Sequence, residues 1–348
     1  MRRRMLLLGI VISLWGCQPV ALTPSITPTP SATRTLTPTP LTTPTPTVTH
    51  SPTPQPVLCG GPPEMYILVI GSDARNGGYV VGLADAIRLV RVDFRYPSVQ
   101  VLAFHRDLYV EIPNLQTKTN ITHGKLNQAY LYGNPGYAYY KGVDQGPGLM
   151  ARTLARNFGT RTDHYLAMNL SVFADFVDEV GGLEIDLPET IDGRVKGSKN
   201  PDVYFQKGNL KLNGYRTMLL ARMRPSGDIS RTETQNLILQ ALATKLLRPS
   251  TLVRMPYLAK TLQESVQTDL DTDEIRQLVC LARRLNGQPI EFREFPATLF
   301  KNDRVRDPVL GNTSILAADF TVLRQYVQRF MDDRWDELNE PLPDDAGR

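Results

Sequence analysis

The chain has 348 residues, 41% of them hydrophobic, and its 39 Lys and Arg against 35 Asp and Glu leave a formal charge of +4. That length supports a sizeable core, and so mild a charge argues against binding nucleic acid by bulk attraction to phosphate. No His-Glu-x-x-His, Cys-x-x-Cys, Walker loop, dinucleotide fingerprint or Gly-x-Ser-x-Gly elbow occurs, so zinc, P-loop, nicotinamide and serine-hydrolase chemistry lack their usual carriers.

Met1-Arg-Arg-Arg4 precedes an apolar stretch from Met5 to Trp15. A membrane-spanning helix needs roughly 20 apolar residues, so residues 1–17 read as an export signal. Leu14-Trp15-Gly16-Cys17 is similar to a bacterial lipoprotein cleavage box, in which Cys17 becomes lipid-modified and anchors the protein to the membrane. Trp15 is bulky for its position, and a retained N-terminal signal anchor is the alternative; either way the domain faces outward. Residues 18–57 are nearly a Thr-Pro repeat without apolar periodicity, which predicts a disordered stalk extending by up to about 3.1 Å per residue.

Strands are predicted at 65–71, 86–94, 98–105, 164–168 and 183–187, with helices at 146–158 and 171–180. Helices dominate from 213 to 285, with Asn213 and Ser230 as N-caps, followed by a strand at 289–295 and a helix at 317–332. Alternating strands and helices predict a three-layer α/β domain over 60–335, with a flexible tail at 336–348. Phe158, Phe173, Phe176, Val177, Val180, Leu237, Leu239 and Leu242 have the spacing of core stripes. Tyr130, Tyr132, Tyr137, Tyr139 and Tyr140 read either as a sugar-stacking loop or as an aromatic loop packed on itself. Cys59 and Cys280 are available to pair in an exported protein, a question spacing leaves open.

Charged residues cluster at predicted strand ends: Asp73 and Arg75 after the first run, Asp85 before the second, Arg106 and Asp107 after the third. Sites in open sheets form outside strand termini. The most informative segment runs from Arg222 to Gln235, where Arg222, Arg224, Asp228, Arg231 and Gln235 surround the entry to a helix. Arg231 and Gln235 are four apart and share a helical face near an N-terminus that favours anions. Arg222 and Arg224 point the same way if that segment is extended. Arginine forks bind phosphate oxygens bidentately, although a solvated ion-paired face is the competing reading.

The series Ile67-Leu-Val-Ile-Gly-Ser-Asp73-Ala-Arg75, Asp85, Arg106-Asp107, Gly124-Lys125-Leu-Asn127-Gln-Ala-Tyr130, Phe176-Val-Asp-Glu-Val-Gly-Gly-Leu183-Glu-Ile-Asp and Arg222 to Gln235 resembles the LytR-CpsA-Psr proteins, in order across about 65–245. That resemblance implies a mixed central sheet with a hydrophobic tunnel for a polyprenyl tail. It implies a magnesium ion (Mg2+) on Asp73 and Asp85, and Arg75, Arg106, Arg224, Arg231 and Gln235 around a diphosphate. Lys125 and Asn127, which stand in the matching series, and Arg222, from the arginine-rich segment, are further substrate-binding candidates. The implied partners are a polyprenyl diphosphate-linked glycan and peptidoglycan, and the implied reaction is transfer of a glycopolymer or glycosyl phosphate to a wall hydroxyl. Asp107 and Asp228 are the candidate general bases, and the sequence does not choose between them. Leu83 stands where the family usually has a basic residue. Hydrolysis of the same donor, and carrier binding without turnover, are the alternative functions.

Overall fold

The computed structural model describes residues 56–74, 79–115, 119–195, 199–224, 228–262, 265–285 and 287–337. The predicted signal with Cys17, the stalk through residue 55, Arg75, the side chains of Asp228 and Ser230, and the tail beyond 337 lie outside them.

The strands β1 (Glu64–Ser72), β2 (Ala84–Asp93) and β3 (Ser98–Phe104) form an antiparallel meander, because each is a long run of alternately directed apolar residues. A short ribbon of β4 (Tyr109–Glu111) and β5 (His123–Lys125) leads into α1 (Leu126–Gly133) and α2 (Gln145–Phe158). Next come β6 (His164–Asn169), parallel to β1, and α3 (Leu170–Glu179), N-capped by Asn169. Small antiparallel pairs follow: β7 (Leu183–Leu187) with β10 (Gly208–Leu212), and β8 (Ile191–Asp192) with β9 (Tyr204–Phe205). The helical stretch holds α4 (Gly214–Arg222), α5 (Asp228–Leu246), α6 (Pro249–Leu262) and α7 (Thr272–Arg284), interrupted by β11 (Gln267–Thr268). The chain continues through β12 (Glu291–Arg293), the hairpin β13 (Phe300–Asp307) and β14 (Gly311–Ala318), and α8 (Phe320–Met331). Among the described residues the main sheet has the order β11-β6-β1-β2-β3-β12, a mixed six-stranded sheet.

Its two faces are covered differently. Leu68, Ile70, Ile87, Leu89, Leu102 and Phe104 meet side chains of α1, α2 and α8 in a filled core, where Phe104 and Phe158 lie edge to face at 5.0 Å. The opposite face, including Val69, Ala86, Val92, Val99, Leu166 and Met168, lies under α3, α5, α6 and α7 around a cavity of about 530 Å³. This is the expected three-layer α/β arrangement, and the cavity corresponds to the expected tunnel. Phe173, Phe176, Leu239 and Leu242 line it. Phe158 instead belongs to the filled face, while Val177, Val180 and Leu237 pack in a second cluster with β7 and α4.

Asn213 caps α4 as expected, accepting from the Arg216 N–H at 2.9 Å. Ser230 does not cap α5, which already begins at Asp228. The final helix starts at Phe320 rather than 317, because residues 317–318 finish β14 and Asp319 takes the cap. The strand expected at 289–295 shortens to Glu291–Arg293. Ordered structure also runs slightly past 335, where Trp335–Glu337 form a 3-10 turn with Trp335 buried. The tyrosines pack on themselves: Tyr130 and Tyr132 are fully buried, and Tyr132, Tyr137 and Tyr139 have ring centroids within 5.9 Å of one another.

Cys59 and Cys280 form a disulfide with Cα atoms 5.8 Å apart, tying the segment before β1 to the cavity-lining helix α7 across 221 residues. Closing so long a loop restricts the unfolded chain. Replacing both cysteines by serine is expected to lower the unfolding free energy by about 2–5 kcal/mol. Denaturant midpoints of wild type and variant check this, and reductant added to the wild type should reproduce the shift.

Candidate active site

The site is built where β1 ends and β2 begins. Asp73 follows β1, its N–H donating to the Leu83 carbonyl at 3.1 Å and its Oδ1 accepting from the Leu83 N–H at 2.6 Å. Gly82 permits this tight return, since a Cβ there would stand 2.7 Å from the Ala74 Cβ and from Ser72 Oγ. Leu83 therefore contributes backbone positioning to Asp73 in place of the expected cation.

Asp85 lies two residues further, in β2. Its Oδ1 accepts from Arg106 Nη1 at 2.5 Å, and its Oδ2 stands 3.7 Å from Arg231 Nη1. Arg231 Nη2 also donates to the Asp85 carbonyl at 3.1 Å. Arg106 follows β3 and Arg231 sits near the start of α5, so these interactions join three distant segments. Arg106 Nε reaches Asp107 Oδ2 at 3.4 Å, and Lys125 Nζ donates to Asp107 Oδ1 at 2.9 Å. Asn127 is buried; its N–H donates to the Arg106 carbonyl at 3.0 Å and its side-chain oxygen has no partner among the described residues. Gln235, one turn after Arg231, lines the cavity together with Asp85.

The structure thus brings together Asp85, Arg106, Asp107, Lys125, Asn127 and Arg231, with Gln235 adjoining through the cavity and Asp73 on the neighbouring strand end. Arg222 and Arg224 are exposed, and the condition for their pointing the same way is not met at Arg222, which closes α4 ahead of the extended C-cap Met223. Arg75 and the Asp228 side chain lie outside the described residues. Sequence reasoning missed Arg88, which faces the cavity from β2 and contacts Gln235; the available signal was a cation at an inward position of an apolar strand.

Burial pushes the Asp107 carboxyl up, but the charge of Arg106, the hydrogen bond and charge of Lys125, and the charge of Arg231 together hold it below the usual carboxylate range. Asp107 is therefore ionised at neutral pH and weakly basic. Asp73 and Asp85 supply the hard oxygen donors that magnesium prefers, and such an ion is commonly held by one or two carboxylates plus phosphate and water. Among the described residues no group of three or more His, Cys, Asp and Glu comes together as a metal site.

A model of the LytR_cpsA_psr family matches residues 59–325. The chain belongs to that family. Within it, the regulatory protein MsrR of Staphylococcus aureus is 30% identical over 218 residues, covering 62% of this chain and 59% of MsrR. The Bacillus subtilis polyisoprenyl-teichoic acid--peptidoglycan teichoic acid transferase TagV is 27% identical over 196 residues, covering 56% of this chain and 46% of TagV. The match spans about three fifths or less of these curated relatives' own length. The crystal structure of B. subtilis TagV superimposes with a TM-score of 0.60 at 24% identity, over 78% of this chain and 97% of that one, which establishes the shared fold.

In this LytR_cpsA_psr domain, Lys125→Met is expected to raise the Asp107 pKa, since a hydrogen bond and a positive charge favouring the carboxylate are lost. A carboxyl depressed by folding stabilises the protein above its unfolded pKa, and that stabilisation disappears as pH falls through the folded value. The variant should therefore lose part of its stability at neutral pH and show a shallower acid limb. Carbon-detected NMR titration of Asp107, with unfolding followed against pH, checks both.

Proposed function

We propose that the protein transfers a glycopolymer or glycosyl phosphate from a polyprenyl diphosphate carrier to a hydroxyl of peptidoglycan. The observation that carries this reading is the juxtaposition of an apolar cavity, suited to an isoprenoid chain, with an Arg106–Asp85–Arg231 cluster, partly exposed at Asp85 and Arg106, suited to a diphosphate. TagV, named as a polyisoprenyl-teichoic acid--peptidoglycan teichoic acid transferase, supports the same substrate class.

In this scheme the acceptor hydroxyl oxygen attacks the sugar-linked phosphorus, the bond to the bridging oxygen breaks, and polyprenyl phosphate leaves while the hydroxyl gives up its proton. Arg106 and Arg231 stabilise negative charge on the phosphates, an effect of fixed donors that grows in a site shielded from water. Lys125 and Arg106 keep Asp107 ionised and so able to accept a proton, though its low basicity limits that role. Asp73 and Asp85 would hold magnesium, which when bound supplies charge screening on the diphosphate. Arg224 belongs to the proposed phosphate set through the family resemblance, as does Arg75, and Asp228 stays the second candidate general base.

Location at the outer face of the membrane through lipid on Cys17 is part of the same proposal. Among the described residues no helix is long and apolar enough to cross a membrane.

The test is incubation with a lipid-linked sugar, with and without peptidoglycan fragments. Sugar phosphate on the wall fragment supports transfer; its release into solution in both cases means hydrolysis, and absence of turnover means carrier binding alone. Arg231→Ala is expected to slow transfer by about a hundredfold or more while the domain remains folded by circular dichroism. Asp73→Ala should abolish stimulation by magnesium, and an unchanged metal response would remove that residue from the ion site.

A further inference from the structure

Among the described residues lining the cavity, Arg88 is the only cation. It is 2% exposed, on a sheet face otherwise built from Val69, Ala86, Val92 and Val99. Burying a guanidinium beside an apolar cavity is costly, and an aliphatic side chain would continue the surface. What Arg88 gains is a directional set of contacts. Its Nη1 donates to the Ile87 carbonyl at 3.0 Å, its Nε to Asn236 Oδ1 at 3.1 Å and its Nη2 to Gln235 Oε1 at 3.3 Å. Asn236 Nδ2 in turn donates to Glu294 Oε1.

Arginine has donors and no acceptor, whereas a glutamine amide has one end of each kind. Facing Arg88, Gln235 is satisfied in only one orientation, with its oxygen toward the guanidinium. Its nitrogen then carries two hydrogens, and among the described residues only the Ala221 carbonyl, at 3.3 Å, takes one. Asn236 cannot reverse either, because its oxygen meets Arg88 and its nitrogen meets the Glu294 carboxyl. From Glu294 through Asn236 and Arg88 to Gln235, each group fixes the direction of the next. The remaining N–H of Gln235 bonds an anionic oxygen more strongly than the neutral oxygen of a hydroxyl, and it cannot accept a hydroxyl proton.

We propose that Arg88 is a positioning residue that locks Gln235 as a hydrogen-bond donor to the carrier's diphosphate. The inference rests on the transfer reading for its ligand, and it assigns Arg88 a part in distinguishing a diphosphate from an uncharged lipid.

The experiment is calorimetric binding of farnesyl diphosphate, with magnesium, and of farnesol, to the full chain. Wild type should prefer the diphosphate. Arg88→Met should weaken diphosphate binding by about tenfold or more and leave farnesol binding unchanged, because the cavity wall is kept. Arg88→Lys, also a pure donor, should recover most of the loss. In a Gln235→Ala background Arg88→Met should cost little more, since the two act as one unit. Additive losses, or equal weakening for both ligands, would show Arg88 to be merely structural. A wild type that binds farnesol as tightly as the diphosphate would overturn the transfer reading and this inference with it.

Discussion

The site depends on the electrostatic bond between Asp85 and two guanidiniums that arrive from elsewhere in the chain. Arg106 reaches it from the end of β3, and Arg231 comes from α5, 146 residues beyond Asp85 in sequence. Arg231 is almost wholly buried, so a missing counterion would leave a desolvated charge, a loss of order 3–5 kcal/mol when one partner of such a pair is removed. The carboxylate therefore serves the protein before any ligand arrives. It holds the cations in place and neutralises part of their charge. An entering diphosphate would offer the same guanidiniums a second set of anionic oxygens without first having to order them.

Much of this arrangement is readable in the amino-acid sequence because it follows short-range rules. The first three strands are long apolar runs, and a polar residue at the end of such a run is placed automatically at the edge of a sheet. Arg231 and Gln235 fall on one helical turn by spacing alone. The Asn213 cap is likewise local, since its side chain bonds an N–H three residues later. Long-range choices are not readable in the same way. Phe158 and Phe173 both belong to apolar stripes of helices, yet one fills the core and the other lines the cavity, because the helices bearing them cover opposite faces of the sheet. The hairpin Phe300–Asp307 with Gly311–Ala318 carries charges on successive positions and lacks the alternation that marks a half-buried strand.

Arg88 and Arg91 show the same limit within one strand. Both are buried and three residues apart, and nothing local separates them. Strand alternation sends them to opposite faces. Arg91 pairs with Glu64 and Asp93 in a network that closes one end of the sheet, whereas Arg88 meets amides of α5 beside the cavity. The assignment of one to structure and the other to the site follows from the faces, and the faces are fixed only when the sheet assembles.

That difference between faces also explains how the domain can keep a cavity at all. On one side the Phe104 ring packs on Phe158 and Phe295 with centroids 5.0 and 5.7 Å away, and such dense packing supplies dispersion contacts that an empty volume cannot. On the other side the roof helices enclose space rather than fill it, which forgoes those contacts. Covalent and polar ties take over part of the work: the Cys59–Cys280 bridge pins α7, the Asp271 side chain caps that helix by accepting from two backbone N–H groups, and the Asp85 cluster holds the start of α5. The Asp85 cluster and the Asp271 cap act near the starts of α5 and α7, while the Arg88–Asn236–Glu294 contacts hold α5 part-way along, beside the cavity. A filled face for stability and a hollow face secured by these ties are therefore two halves of one solution, in which the same sheet presents one surface to a packed core and the other to an apolar cavity.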